Sequence, residues 1–70
     1  MAEKNMVNTL KVQRAKKNLT QEQLAELVQV TRKTINTVEN GIYIPSTYLA
    51  LKLAGVLGVT VEELFQIREA

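Results

Sequence analysis

The chain has 70 residues, nine Lys and Arg against seven Asp and Glu for a formal net charge of +2, and neither cysteine nor histidine. That length supports one hydrophobic core and not two, so residues 1–70 are expected to form a single domain whose functional surface shares residues with its core. Disulfides and the usual ligands of a structural zinc are excluded, so the fold must rest on apolar packing and no metal or other cofactor is expected.

In chain order, Val7, Leu10, Arg14 and Ala15 recur at helical spacing and predict a first helix over residues 7–17, closed by Asn18, which tolerates a left-handed backbone. This end is basic, with Lys4, Lys11, Arg14, Lys16 and Lys17 against Glu3. Thr20 and Gln23 have the spacing of a capping box and open a second helix, about 21–28, with an apolar arc of Leu24, Ala25, Leu27 and Val28. After the turn Gln29-Val30-Thr31, the Thr31 hydroxyl can cap a short third helix, about 32–40, which Asn40-Gly41 stops. Pro45-Ser46 starts a fourth helix in which Leu49, Ala50, Leu53, Ala54 and Leu57 repeat up to Gly58. Thr60 and Glu63 form a second capping box, and Leu64, Phe65 and Ile67 complete a short fifth helix as a lid, in an acidic segment carrying Glu62, Glu63 and Glu69 against Arg68.

No strand-like alternation is long enough to build a sheet, and no Gly-, Pro- or Ser-rich linker divides the chain. The expectation is an all-α, compact five-helix bundle with its core over about 7–67, and with frayed ends at the first five and last two residues. The uncharged stretches 40–51 and 53–61 are broken by Gly, Pro, Ser or Thr and fall short of the roughly 20 apolar residues of a membrane span. Lys4 is not followed by the apolar run of a signal peptide, so a cytoplasmic protein is expected.

At about 100° per residue, Ile35 and Val38 fall on one side of the third helix, with Thr34 beside them. Arg32, Lys33, Asn36, Thr37 and Asn40 share the other side. That face holds two cations, two amides and a hydroxyl, with no acid among them. An ordinary solvated face more often mixes in Glu or Asp. The inventory suits phosphate oxygens and base edges in a DNA major groove. A capped helix, a three-residue turn and a second short helix with a polar face have the layout of a helix-turn-helix, here about 21–40.

The stretch LTQEQLAELVQVTRKTINTVENG, Leu19 to Gly41, resembles the helix-turn-helix core of the phage repressor (Cro/CI, XRE-type) family of small regulators. The resemblance covers nearly the whole chain. It takes in Leu10-Lys11-Val12-Gln13-Arg14, the Pro45-Ser46 start of the fourth helix and the ending Gly58-Val59-Thr60-Val61-Glu62-Glu63-Leu64-Phe65. It implies a lambda-repressor-like DNA-binding domain, with a minor terminal strand pair of residues 65–68 and 5–7 in some members. It also implies sequence-specific binding of double-stranded DNA by a small transcriptional regulator, a repressor associated with the nucleoid.

Carried over by position, the resemblance gives base reading to Arg32, Lys33 and Thr37, with Asn36 beside them. Phosphate contacts fall to Gln21 and Thr31, both at helix N-termini where free N–H groups favour anions. Asn40 would face the backbone, and the loop Ile42-Tyr43-Ile44 would follow the phosphates with Tyr43 as a contact or as a partly packed loop aromatic. Arg14 and Glu39 lie toward the apolar sides of their helices and each needs an internal partner; the family pairs such residues with each other. Ala25 is small where the second and third helices must cross closely. One departure stands out: the family's turn usually has Gly where this chain has Gln29, and a left-handed residue there would cost about 1 kcal/mol.

Two other function classes compete. An enzyme would need a catalytic cluster drawn from Lys, Glu, Tyr or Ser, or a glycine-rich phosphate loop, and neither is present. An antitoxin or adaptor of the same fold would act chiefly on another protein, but a helix used only that way has no need of Arg32 and Lys33. One helix reads only about four to six base pairs, so a homodimer on an inverted-repeat operator is expected. The apolar excess at Leu57, Val59, Leu64, Phe65 and Ile67 is its expected interface. No small-molecule ligand and no membrane partner are expected.

Overall fold

A computed structural model describes the backbone of residues 4–69 and the side chains of residues 6–68. The elements run β1 (Lys4–Asn8), α1 (Leu10–Lys16), α2 (Gln21–Val28), α3 (Arg32–Glu39), α4 (Thr47–Leu57), α5 (Val61–Leu64) and β2 (Phe65–Glu69). Five helices thus enclose the core, and the two strands pair antiparallel within the one chain, with Met6 opposite Ile67 and Asn8 opposite Phe65.

Hydroxyl caps set most helix starts. The side chains of Thr20, Thr31, Ser46 and Thr60 accept from the backbone N–H of Gln23, Thr34, Leu49 and Glu63, and the Thr20 and Thr60 capping boxes are both complete. Each cap satisfies one of the N–H groups that a helix leaves without an internal acceptor. Asn18, Gln29, Gly41 and Gly58 reverse the chain with positive φ. Gln29 takes the left-handed conformation in full, at φ 62° and ψ 45°, so the turn keeps its shape without glycine. Its side chain accepts from Lys52 Nζ at 3.1 Å.

The core is one cluster of Leu10, Leu24, Ala25, Val28, Ile35, Val38, Leu49, Leu53, Ala54, Leu57 and Leu64. No described helix is long and apolar enough to cross a membrane.

Several expectations change. The first helix starts at Leu10, not residue 7, because Asn8 Oδ1 accepts from Leu10 N and ends the strand there. Val7 is a strand residue and Ala15 is exposed. Leu27, expected in the apolar arc of α2, is 54% exposed. The fifth helix stops at Leu64, and Phe65, at φ −129° and ψ 132°, already has extended backbone. Thr9 holds this junction, donating from Oγ1 to Glu63 O and from N to Leu64 O while its own carbonyl accepts from Gln13 N in the first turn of α1. Of the expected frayed ends, residues 1–3 and 70 lie outside the described residues, whereas residues 4, 5 and 69 belong to the strand pair. Leu57 and Leu64 are 2% and 0% exposed, so they belong to the core and have no surface for a second copy. Val59 and Phe65 are half-buried against that core, and Ile67 is exposed.

Candidate nucleic-acid interface

Helix α3 packs against α2, whose small Ala25 is buried in the core at 1% exposure. Ile35 and Val38 anchor its inner side in the core. Arg32, Lys33, Asn36 and Asn40 are exposed on its outer side, as the helical spacing implies, and Thr37 is half-buried at the edge. The first turn of α3 carries no acidic residue, so nothing there neutralises Arg32 and Lys33.

A continuous set of hydrogen bonds fixes this face to the rest of the molecule. Arg14 Nε donates to Glu39 Oε2 at 2.6 Å and Nη2 donates to Oε1 at 3.3 Å, a two-point pairing between α1 and α3. A third bond runs from Arg14 Nη1 to Leu19 O at 2.7 Å. The two side chains are 14% and 4% exposed, so the pair is largely removed from water and its partners are satisfied. Gln21 Nε2 then donates to Glu39 Oε1 at 3.0 Å and to Asn36 Oδ1 at 3.3 Å. Asn40 Nδ2 also donates to Asn36 Oδ1, at 3.3 Å.

These bonds decide what each group can offer a ligand. Asn36 Oδ1 already accepts twice, which leaves its amide nitrogen to present as a donor. Both amide hydrogens of Gln21 are engaged, so a phosphate at the start of α2 would meet its backbone N–H rather than its side chain. The Thr31 hydroxyl accepts from Thr34 N at 3.3 Å and lies 3.0 Å from Thr34 Oγ1. The Thr37 hydroxyl donates back to Thr34 O at 2.9 Å, so outwardly Thr37 offers a methyl and a lone pair. In the loop, the N–H groups of Ile42 and Tyr43 both donate to Thr37 O, at 2.9 and 3.2 Å, and neither is free for a phosphate. Tyr43 is 46% exposed beside them. The exposure of Arg32, Lys33, Asn36 and Asn40 follows the helical spacing, whereas the Gln21–Asn36–Asn40 links do not follow from it. Their only sequence signal is a set of amides at positions that meet after the helices cross.

The helix-turn-helix family model matches residues 10–64 of the chain. An uncharacterized HTH-type transcriptional regulator of Methanocaldococcus jannaschii is 50% identical over 60 residues, covering 86% of this chain and 91% of that protein. The regulator YgzD of Bacillus subtilis, also uncharacterized, is 41% identical over 64 residues, covering 91% and 97%. Among solved structures, the clp gene regulator ClgR of Corynebacterium glutamicum superposes with a TM-score of 0.72 at 30% identity, covering 77% of this chain and 57% of that one. A solution structure of the SOS-response repressor LexA of Eubacterium rectale gives the same TM-score of 0.72 and 30% identity, with the same coverage. The matched span includes every helix and the whole acid-free face of α3, and on these grounds the chain belongs to the XRE-type (Cro/CI) helix-turn-helix family of DNA-binding transcriptional regulators.

Proposed function

We propose that the chain is a sequence-specific repressor acting in the cytoplasm on the nucleoid, which binds an inverted-repeat operator as a homodimer and lays α3 in the major groove. The observation that carries this reading is the outer face of α3, where Arg32, Lys33, Asn36 and Asn40 are exposed together and without an acid. Arg32 and Lys33 suit the acceptor edge of guanine, and the free amide nitrogen of Asn36 suits a purine N7. Thr37 lies at the edge of the same face. The N-termini of α2 and α3, at Gln21 and Thr31, supply backbone N–H groups to phosphates on either side of the groove, with Asn40 and Tyr43 completing the backbone contacts.

Selection of bound duplexes from a random pool, followed by titration of the selected site at two salt concentrations, tests this. The expected result is a palindromic site whose affinity falls steeply with salt, because each neutralised phosphate adds about 0.9 to the slope of log K against log salt. Affinity indifferent to both salt and sequence would overturn the proposal.

A further inference from the structure

The flank of α3 that faces the following loop is chemically unlike its outer face. Thr31, Lys33, Thr34 and Thr37 on the helix and Ile42 and Tyr43 in the loop line an open, mostly apolar groove of about 350 Å³. Ile42 is 77% exposed, the most exposed of the large hydrophobic side chains described, and Ile44 is 65% exposed two residues on. A run of three exposed apolar residues is costly to keep in contact with water unless something covers it. The loop is nonetheless held in place, since Gly41, Ile42 and Tyr43 each donate a backbone N–H to the last turns of α3.

A phosphate finds few donors on the Ile42 side of this groove. It would need donors, and the N–H groups of Ile42 and Tyr43 and the hydroxyl hydrogen of Thr37 are already spent within the protein. What remains beside Ile42 and Thr37 is an apolar wall next to one ammonium, Lys33, which the groove shares with the face described above; the Thr31 and Thr34 hydroxyls and the Tyr43 phenol complete its polar lining.

We propose that this groove reads thymine: Ile42, the Thr37 methyl and the Lys33 stem receive the C5-methyl of a thymine next to the base that Lys33 engages. In the major groove thymine is distinguished from cytosine by that methyl together with the O4 acceptor, and an apolar pocket matches the methyl. The inference rests on α3 occupying the major groove and adds Ile42, which lies outside the helix, as a specificity-determining residue.

The test replaces each thymine of the selected duplex in turn by deoxyuridine, which lacks only the methyl. One position per bound copy should weaken by about fourfold, the worth of one buried methyl-sized group. Ile42→Ser should melt at an unchanged temperature, because the side chain is exposed, and should bind the thymine and deoxyuridine duplexes equally at that position. The proposal is overturned if no thymine is sensitive, if Ile42→Ser keeps the deoxyuridine penalty, or if Ile42→Ser weakens every sequence alike. In those cases Arg32→Ala and Lys33→Ala separate the causes. Relaxed base preference in these variants would leave α3 as the reading helix and reject the slot alone, whereas unchanged preference would reject both.

Discussion

Arg32 and Lys33 stand at the start of α3 without an acid in their turn, whereas Gln21 is tied by its side chain to Asn36 and Glu39. Their substitution should therefore differ in kind. If α3 reads bases as proposed, Arg32→Ala and Lys33→Ala each remove a base contact and should cost about 1–3 kcal/mol of discrimination between sites, with little effect on non-cognate DNA. Binding assays on cognate and mutated operators would show this, and full retention of preference would sink the assignment of α3. Glu39 acts on stability instead. Glu39→Ala strips Arg14 of two of its three hydrogen bonds and leaves its guanidinium largely buried. The loss should be about 3 kcal/mol, which for a domain of this size lowers the melting temperature by on the order of 10–20 °C. An unchanged melting curve would remove the pair from the structure's support. The Arg14–Glu39 pair was legible because each charge sits at an apolar position of its own helix. The direction of the Thr37 hydroxyl and the double acceptance at Asn36 were not, because they depend on neighbours brought together only by the crossing of α2 and α3.

At the scale of elements, α2 begins at Gln21 and α3 at Arg32 as the threonine caps indicate, because a hydroxyl accepting an N–H three residues on is a local event written in local sequence. The boundaries of the first and last helices were not legible in the same way. Residues 65–68 alternate apolar and polar for only four positions, and Val7 lies at helical spacing from Leu10, so each segment read alone is ambiguous between helix and strand. Pairing between the two segments, 57 or more residues apart in sequence at every position, settles the matter by supplying ladder hydrogen bonds to both. The α2–α3 packing carries the proposed reading face, and Ala25 of α2 lies in the core with 1% of its surface exposed. Ala25→Leu should force the helices apart at a cost of about 1–3 kcal/mol or more. Because α3 is then displaced relative to the N-terminus of α2, operator affinity should fall even at temperatures where circular dichroism shows the variant folded. A variant with lowered melting temperature but full affinity would show that the crossing tolerates displacement.

For the whole molecule, the decisive quantity is the length of DNA one copy can read, about four to six base pairs, which is too short to single out one site in a genome. A two-fold pair of chains with α3 helices about 34 Å apart would double that length and require a palindromic operator. The surface for such a pairing has to be apolar and exposed in the single chain, which excludes Leu57 and Leu64 from the expected interface and leaves Ile67, in the strand pair, as its most exposed member. Ile67 is 73% exposed, directly opposite Met6 in the ladder, and on the same side of β2 as Phe65, two residues before it. A two-stranded ribbon alone is marginally stable in water, so cover on that side from a second copy would stabilise the ribbon and the dimer together. Ile67→Glu places a charge there while removing nothing from the core. Sedimentation at micromolar concentration should show a dimer for the unmodified chain and a monomer for Ile67→Glu, whose helical melting should shift little because the side chain is already in water. On a full palindrome the variant should bind the two half-sites independently and more weakly. A chain that sediments as a strict monomer before substitution, and that selects a site without two-fold symmetry, would remove both the dimer and the operator geometry.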